Sequence, residues 1–355
     1  MKIIFLNLTQ GLVNRGLERV FDLYATELAK KNDVTIIQAG DIVPGKNYKT
    51  IRVHPLTLAP QAAPNNLLEK LLFRLERDPA SLQAIEFTKD SLSPIKKINP
   101  DVIIAGNGAP QLRILKRALP TKKITVFGAA GLGHHDIKTL LSHPDLFIAM
   151  TDYQATWCKP YQTSRTRVVV IPNPVVLSKS SKKIDLSLPR PVVLTVGALT
   201  KYKNITKTAE YLSELPLSHI IIGDGEENRK LQDVLSKRAY DFRWIKRVSP
   251  EELPAYYNYS DVFCFIPDSR EAFGNVFVEA MAASLPIVAT DDPIRREIIG
   301  GAGYYVNPKD PKSVQSAIVK AAEGGKIDYT QQLARYNIKA VSKLLENALN
   351  ELTKC

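Results

Sequence analysis

The sequence predicts an α/β protein with two parallel β-sheets, each covered by helices on both faces. Short Val- and Ile-rich runs alternate with helical patterns through both halves of the chain, which is typical of parallel strands buried on both sides. The 355 residues are enough for two domains with separate cores. A polar segment with several prolines separates the two series of strands.

The strands and the domain limits can be placed on the chain. Strands are predicted near residues 2–6, 33–38, 102–105, 123–127, 145–149 and 167–171, and then near 192–196, 218–222, 262–266, 286–289 and 303–306. The segment 171–174 and the polar run 178–183 have the composition of a linker. The predicted domains are residues 1–174 and 175–335, followed by an amphipathic tail, 336–355.

Composition excludes several classes of protein. Hydrophobic residues make up 45% of the chain and charged residues 24%, which is ordinary for a soluble globular protein. No apolar run reaches the ~18 residues of a membrane span, and the N-terminal run is expected to be a first strand rather than a signal peptide. Cys158, Cys264 and Cys355 lack metal-ligand spacing. A reducing cytoplasm is therefore the expected compartment.

Positive charge is concentrated in the first half of the chain. Residues 1–172 contain 23 Lys and Arg against 14 Asp and Glu, a net charge of +9, whereas the remainder contains 25 against 22. This asymmetry indicates an anionic partner, for which a phosphorylated acceptor, a lipid surface and nucleic acid are candidates. Nucleic acid ranks last, because aromatic residues are not interleaved with the basic ones.

Two glutamates, Glu271 and Glu279, bracket the most informative segment. It lies between an apolar run at 261–267 and another at 285–290, a pattern that predicts the order strand, loop, helix and strand. Gly274 is predicted to open the helix, so that free backbone N–H groups and the positive end of the helix dipole face the loop. Such a site suits a polyhydroxylated anion.

This segment resembles that of the retaining glycosyltransferases of family 4, whose GT-B architecture has two Rossmann-like domains facing across a cleft. The resemblance implies that Glu271 contacts the transferred sugar and that Glu279 holds the ribose hydroxyls of the nucleotide. Between them, Phe273, Gly274 and Asn275 would offer backbone amides to sugar and phosphate. In GT-B proteins a final helix often crosses back onto the first domain, which is the expectation for 336–355.

A second resemblance lies after the first strand of the second domain. Gly197 and Lys203 match the family's glycine turn and the lysine that neutralises the donor diphosphate. A fixed ammonium there would stabilise the negative charge that develops on the leaving group. Ala198 stands where the family has arginine. Either Lys201 or an arginine of the first domain, such as Arg15, supplies the second cation, or the leaving group is held less firmly.

Other parts of the expected donor site are less specific. Gly223 belongs to a Gly-x-Gly turn after the next strand, and the third glycine of a dinucleotide fingerprint is absent, which disfavours a nicotinamide or flavin enzyme. By resemblance, the stretch from Arg243 to Val248 contacts the nucleotide base, mostly through its backbone.

In the first domain, Gly16 opens the first helix after Arg15, which replaces a family glycine. Family members place a histidine near the sugar in the loop 128–136, and His134 or His135 fits that role, with His134 preferred. A metal site is the least favoured interpretation, because adjacent histidine side chains diverge and no fourth ligand is apparent. The helix at 67–77 has an apolar face that indicates core packing, with a membrane-surface role as the weaker alternative.

The expected function is transfer of a sugar from a nucleotide-diphosphate sugar to a hydroxyl acceptor, with retention of configuration. A glycan, a lipid-linked molecule or a small molecule remains open as the acceptor. Neither a cofactor nor a metal is expected to be required. A location in the cytoplasm, with peripheral attachment to the inner face of an anionic membrane, would fit the charge. The rival hypothesis is a degenerate homologue that binds nucleotide or glycan without turnover.

Overall fold

The computed structural model describes residues 1–13, 15–53, 66–129, 131–176 and 184–354. The polar run predicted as a linker at 178–183 lies outside these ranges. Inter-residue contacts divide the chain into two units, Met1–Pro174 with Ile338–Cys355, and Val175–Asn337. Within the described residues no helix is both long and apolar enough to cross a membrane.

The strands are β1 (Lys2–Asn7), β2 (Asp33–Gln38), β3 (Lys49–Arg52), β4 (Val102–Ala105), β5 (Lys123–Phe127), β6 (Leu146–Ala149), β7 (Arg167–Val170), β8 (Val192–Val196), β9 (Ser218–Ile222), β10 (Phe242–Ile245), β11 (Val262–Phe265), β12 (Ile287–Thr290) and β13 (Tyr304–Val306).

The helices are α1 (Gly16–Leu28), α2 (Leu67–Arg74), α3 (Pro79–Ile98), α4 (Gly108–Ala118), α5 (His134–Leu141), α6 (Asp152–Cys158), α7 (Ile205–Leu212), α8 (Asn228–Leu235), α9 (Leu253–Tyr259), α10 (Asn275–Ala282), α11 (Pro293–Ile299), α12 (Pro311–Gly324), α13 (Thr330–Ala334) and α14 (Ile338–Lys354), with short 3-10 turns at Lys159–Tyr161, Lys201–Lys203 and Gly300–Ala302.

The first unit is built around a parallel sheet of order β3-β2-β1-β4-β5-β6-β7. Its central strands are buried on both faces: on β1, Ile3 and Phe5 belong to one apolar cluster, and Ile4 and Leu6 to the opposite one. This alternation follows from the two-residue period of a strand. The continuous apolar runs of the sequence therefore correspond to strands that have helices on both sides.

The tail helix α14 packs into the core of the first unit. Its buried side chains Val341, Leu345 and Leu349 share an apolar cluster with Phe21 and Tyr24 of α1. Each buried leucine contributes about 1.5–3 kcal/mol relative to an exposed one, so this face holds the tail firmly. The last 18 residues thus belong to the first unit, although the rest of the second half does not.

The second unit has a parallel sheet of order β10-β9-β8-β11-β12-β13. Cys264 on β11 is a buried free thiol, as its place in an apolar strand predicts. Two strands were not predicted, β3 and β10, and each lies at the edge of its sheet. The segment 242–245, expected to belong to a nucleotide-base contact region, is this second edge strand.

A histidine is buried in the core of the second unit and gives stability a pH dependence. His219 on β9 is fully buried, with a ring nitrogen 2.9 Å from the Thr195 hydroxyl. Burial, and then the nearby charge of Arg238, place the pKa of His219 well below its ordinary value. In the unfolded chain the same ring binds a proton near pH 6.5.

We therefore expect the free energy of unfolding to fall as the pH drops below about 6.5, because the unfolded state then binds more protons than the folded one. The loss from this group approaches about 1.4 kcal/mol per pH unit. Urea unfolding of wild type and His219→Gln across pH 5 to 8 measures it. The variant should show a shallower dependence of the unfolding free energy on pH than wild type. Parallel curves for wild type and His219→Gln would contradict the assignment.

Candidate active site

The candidate site lies at the carboxyl ends of β8 and β11 in the second unit. These strands are neighbours in the sheet, and the strand order reverses between them. Open parallel sheets bind ligands at such a reversal, outside the carboxyl ends of the strands. Gly197 follows β8 directly, and the loop that contains Glu271 follows β11. The topology therefore brings together two segments that are about 70 residues apart in sequence.

Lys203 and Glu271 form an ion pair at this position. The Lys203 Nζ lies 3.0 Å from the Glu271 Oε2, and the two side chains are only 20% and 12% exposed. The ammonium also lies 5.6 Å from the ring centres of both Tyr202 and Phe265. Attraction to the carboxylate and to the two ring faces fixes the position of this charge. The structure thus joins two residues to which the sequence assigned separate ligand groups.

The glycines of the two turns beside this pair allow close backbone approach. A Cβ on Gly223 would lie 1.9 Å from the carbonyl oxygen of Gly197, and one on Gly225 would lie 2.5 Å from that of Leu199. Gly197 N–H donates to the Ile222 carbonyl at 3.0 Å. Gly223, predicted as a nucleotide contact, therefore also has a structural role, since any side chain there would separate the turns.

The loop after β11 is tied to the turn that carries Lys203. Asp268 N–H donates to the Tyr202 carbonyl at 2.8 Å, and Glu271 N–H donates to the Asp268 carbonyl at 3.1 Å. The Arg270 guanidinium binds the Asp268 carboxylate, with Nη2–Oδ2 at 2.6 Å, and lies 5.3 Å from the centre of the Tyr202 ring. The backbone that positions Glu271 is thereby held from both sides.

A buried arginine that the sequence analysis did not identify supports the same loop. Arg295 on α11 is fully buried and donates to the carbonyls of Glu271 at 2.7 Å and Asp268 at 2.8 Å. It also pairs with Asp292 at 2.9 Å. Burial lowers the pKa of Arg295, and the three nearby carboxylates oppose this shift. Because it binds the main chain, Arg295 positions the loop whatever the side chain at 271.

Gly274 gives the turn into α10 its shape. Its φ of +83° lies in the left-handed region, and a Cβ there would be 2.8 Å from the Phe277 ring. Glycine adopts this conformation at little cost, whereas other residues are strained. The predicted helix start is confirmed, since α10 begins at Asn275. The Phe273 side chain is buried edge-on against Tyr336, which leaves only its backbone available to a ligand.

Glu279 lies on α10, half-buried, and accepts a hydrogen bond from the Tyr257 hydroxyl at 2.9 Å. Tyr257 comes from α9 and is itself 2% exposed. A buried hydroxyl that donates to one carboxylate oxygen fixes the rotamer of the glutamate. The carboxylate retains further acceptor capacity, because an ionised carboxyl group has two oxygens and about four lone-pair positions.

Two other predicted contacts lie at the border of the site. Lys201 begins the 3-10 turn and is exposed, and its backbone N–H donates to Glu226 at 3.3 Å. Val248 is half-buried in the segment after β10. The Trp244 indole on that strand donates to the Gly223 carbonyl at 2.9 Å, which links the edge strand to the Gly-x-Gly turn.

In the first unit, the strand order of the sheet reverses between β1 and β4. The turn that was predicted to approach phosphate or acceptor follows β1 at this reversal. Gly16 begins α1, and Arg15 is its exposed N-cap residue. Arg15 N–H donates to the carboxylate of buried Glu18 at 3.2 Å, and Thr9 donates to the same carboxylate at 2.5 Å. The start of α1 is therefore held by a buried glutamate that the sequence analysis did not assign.

His134 is exposed and is the first residue of α5. Its ring lies 6.3 Å from that of His135, and it borders α2 through Lys70, Phe73 and Arg74. Among the residues that the structure describes, no group of three or more His, Cys, Asp and Glu side chains has the geometry of a metal site.

Comparison with known proteins shows what the second unit is similar to. Residues 178–340 match the family model described as Glycosyl transferases group 1. This range contains Lys203, Glu271 and Glu279. The second unit is thus similar to the domain that this family model describes.

Two curated relatives are similar to parts of the chain. The chain is 28% identical over 200 residues to the O-antigen chain mannosyltransferase RfbU of Salmonella typhimurium, covering 54% of this chain and 56% of RfbU. It is 30% identical over 182 residues to a phosphatidyl-myo-inositol mannosyltransferase of Mycobacterium tuberculosis, covering 48% and 47%. The matches thus span about half the length of these relatives.

A solved structure extends the fold assignment to the whole chain. The structure of HepE from Anabaena, solved with UDP and glucose, has a TM-score of 0.71 and 16% identity, and covers 99% of this chain and 100% of HepE. This likeness confirms the predicted fold class, α/β with two parallel-sheet domains of the GT-B type.

Proposed function

We propose that this chain is a retaining glycosyltransferase of family 4 that moves a sugar from a nucleoside-diphosphate sugar to a hydroxyl acceptor. The observation that carries the proposal is the Lys203–Glu271 pair at the carboxyl ends of β8 and β11, beside the N-terminus of α10. An ammonium, a carboxylate and a helix N-terminus in one place suit a diphosphate that is attached to a sugar. The glycosyl transferases group 1 match over this unit supports the same assignment.

In this proposal each side chain has one task. The bond between the anomeric carbon and the leaving phosphate oxygen breaks, and the acceptor oxygen bonds to the same face of that carbon. Lys203 stabilises the negative charge that develops on the diphosphate. This interaction is stronger in the transition state than in the bound donor, because the charge on the leaving oxygen is larger there. Glu271 orients the sugar and Glu279 the ribose. The acceptor proton passes to the leaving phosphate, so no metal and no cofactor is required.

The acceptor is assigned to the first unit, which carries Arg15, Gly16, His134 and most of the net positive charge. A phosphorylated or lipid-linked acceptor fits that charge. The protein would bind it from the cytoplasm, at the inner face of a membrane. The name of the mycobacterial relative, which acts on phosphatidyl-myo-inositol, supports an anionic lipid acceptor.

A binding protein without turnover is the second candidate. Ala198 stands at the position where the family has an arginine, and the Lys203 ammonium is paired with Glu271. A homologue that had lost catalysis could keep both features.

One experiment separates the two candidates. The protein is incubated with UDP-, GDP- and ADP-linked hexoses and an acceptor extract, and the release of nucleoside diphosphate is measured. If wild type releases nucleoside diphosphate faster than a Lys203→Ala/Glu271→Gln double variant does, the result supports the glycosyltransferase proposal. The coupling constant of the product's anomeric proton then reports retention or inversion. Saturable nucleotide binding without release from any donor would favour the binding protein.

Glu279→Ala is expected to weaken nucleoside diphosphate binding by about 1.5–3 kcal/mol, the range for hydrogen bonds to a charged group. The reason is that a carboxylate can accept from both ribose hydroxyls. Titration calorimetry with the best diphosphate of the panel measures the loss. Tyr257→Phe removes the hydroxyl that donates to this carboxylate at 2.9 Å and to the Val276 carbonyl at 3.5 Å, and it should cost about 0.5–1.5 kcal/mol.

The matched control is Glu323→Ala on α12, an exposed glutamate of the same unit. It should bind the diphosphate like wild type. If the Glu279→Ala variant is folded and binds with the same affinity as this control, Glu279 does not hold the donor.

A further inference from the structure

Helix α2 of the first unit exposes an unusual amount of apolar surface. It has no buried residue, and three of its four leucines are exposed, by 87% at Leu67, 65% at Leu68 and 52% at Leu71, followed by 56% at Leu75 just after the helix. Single exposed leucines are common on protein surfaces, but a contiguous group marks an interaction site.

These leucines form one stripe along the helix. At about 100° per residue, Leu67, Leu71, Leu75 and Leu68 fall within an arc of about 100°. Lys70 and Arg74 follow one border of that arc and are both exposed. An apolar stripe bordered by cations is the pattern of a helix that lies in a membrane interface, with leucines among the acyl chains and cations at the headgroups.

The other face of the helix is anchored to the first unit. Phe73 packs edge-on against His135 with ring centres 4.7 Å apart. Just beyond the helix, buried Glu76 forms ion pairs with Arg113 and Lys138. The Lys138 ammonium also donates to the carbonyl of Arg74. The helix is therefore held in place while its leucine stripe points away from the unit.

A cationic depression lies along the basic border. Lys70, Phe73, Arg74 and His134 line a volume of about 250 Å³. Two permanent cations and an imidazole around one depression favour a phosphodiester, which can accept several hydrogen bonds and carries a single negative charge. An anionic lipid headgroup would fill this depression while its acyl chains continue along the leucines.

We propose that α2 docks the first unit on an anionic bilayer surface, with the leucine stripe in the interface and Lys70 and Arg74 at the lipid phosphates. Charge complementarity selects this occupant, since the stripe is bordered by cations and residues 1–172 carry a net charge of +9. Docking would bring the unit assigned to the acceptor against a surface that displays lipid-linked hydroxyl groups. It does not depend on donor binding, which belongs to the second unit.

The test is sedimentation with vesicles of pure phosphatidylcholine and of phosphatidylcholine with 30% phosphatidylglycerol, at low and at raised salt. Wild type should sediment with the anionic vesicles only, and raised salt should release most of it. Leu67→Ser/Leu71→Ser should bind at least about tenfold more weakly, because each inserted leucine contributes apolar burial. Lys70→Gln/Arg74→Gln should lose the preference for anionic lipid. Leu344→Ser, at a 49%-exposed leucine of α14, is the matched control and should bind like wild type.

The remaining outcomes overturn the proposal. The first is that wild type does not bind vesicles at low salt. The second is that Leu67→Ser/Leu71→Ser binds anionic vesicles as well as wild type does. The third is that Leu344→Ser loses as much vesicle binding as the Leu67/Leu71 variant. Sedimentation velocity without vesicles tests whether a second copy of the chain covers the leucine stripe instead. In that case the mass of the sedimenting species rises with protein concentration in wild type but not in Leu67→Ser/Leu71→Ser. Thermal shifts with nucleoside diphosphate, measured on the same samples, report the donor site separately, so that failure of docking and failure of the proposed transferase function are distinguishable.

Discussion

Lys203→Ala is expected to lower turnover at saturating donor by about 100-fold or more, the largest effect of any single change in the site. The ammonium is 20% exposed and fixed between a carboxylate and two aromatic rings, so that water cannot replace it at the diphosphate. Hydrogen bonds to charged groups contribute about 1.5–3 kcal/mol, which corresponds to 10- to 150-fold. Removal also leaves Glu271 with an uncompensated, largely buried charge.

The ligand dependence distinguishes this role from a general loss of structure. Affinity for the nucleoside diphosphate should fall, whereas affinity for the monophosphate should change by less than about twofold, because the partner of Lys203 is the diphosphate. Lys237→Ala, at an exposed lysine of the same unit, should match wild type in both measurements. Equal losses for monophosphate and diphosphate in Lys203→Ala would contradict the assignment.

Of the strands that the structure describes, the sequence predicts the central ones and the edge strands β7 and β13, but it misses the edge strands β3 and β10. Central parallel strands are covered on both faces, so they appear as apolar runs such as Ile3–Leu6 of β1. At the edges, β3 reads Lys-Thr-Ile-Arg and β10 reads Phe-Arg-Trp-Ile, and no residue of either strand is fully buried. In β3 and β10 charged residues flank or interrupt the apolar ones, so only their pairing partners identify these strands, whereas the edge strand β7 keeps three consecutive valines.

Within the site, the sequence identifies residues whose type is tied to chemistry and misses those that act through the backbone. Glu271, Glu279 and Lys203 can be predicted because a known motif contains them. Arg295 cannot be predicted, because a charged residue in an amphipathic helix is expected to face solvent. Its contacts to the loop are with two main-chain carbonyls, which no side chain in the sequence reveals. Its only signal is local: Asp292 and Pro293 define the start of α11, and Asp292 caps the Arg295 N–H at 3.0 Å.

Similarly, the apolar positions of α2 predict an amphipathic helix but not which face is covered. Core packing was the favoured interpretation, and it is wrong for the leucine stripe, which is exposed. The buried contact of this helix is made instead through Phe73. Sequence periodicity defines a face, and only the neighbouring elements show whether something covers it.

The second large effect is expected for Glu271→Gln, which should lower turnover with the full donor by about 10- to 150-fold. The amide keeps the shape of the side chain but removes the charge that accepts from a sugar hydroxyl. Nucleoside diphosphate affinity should stay the same or rise a few-fold, since Lys203, no longer neutralised at 3.0 Å, presents its full charge to phosphate. Opposite signs for binding and turnover are not expected from a distorted site.

Because Arg295 binds the carbonyl and not the carboxylate of Glu271, the loop should keep its position in this variant. Glu251→Gln, at an exposed glutamate of the same unit, is the matched control and should leave turnover unchanged. The double variant Lys203→Ala/Glu271→Gln should lose less than the two single losses combined, because each single change leaves its partner unpaired. Turnover of Glu271→Gln within about twofold of wild type, or strictly additive losses, would mean that this ion pair does not act as one unit in catalysis.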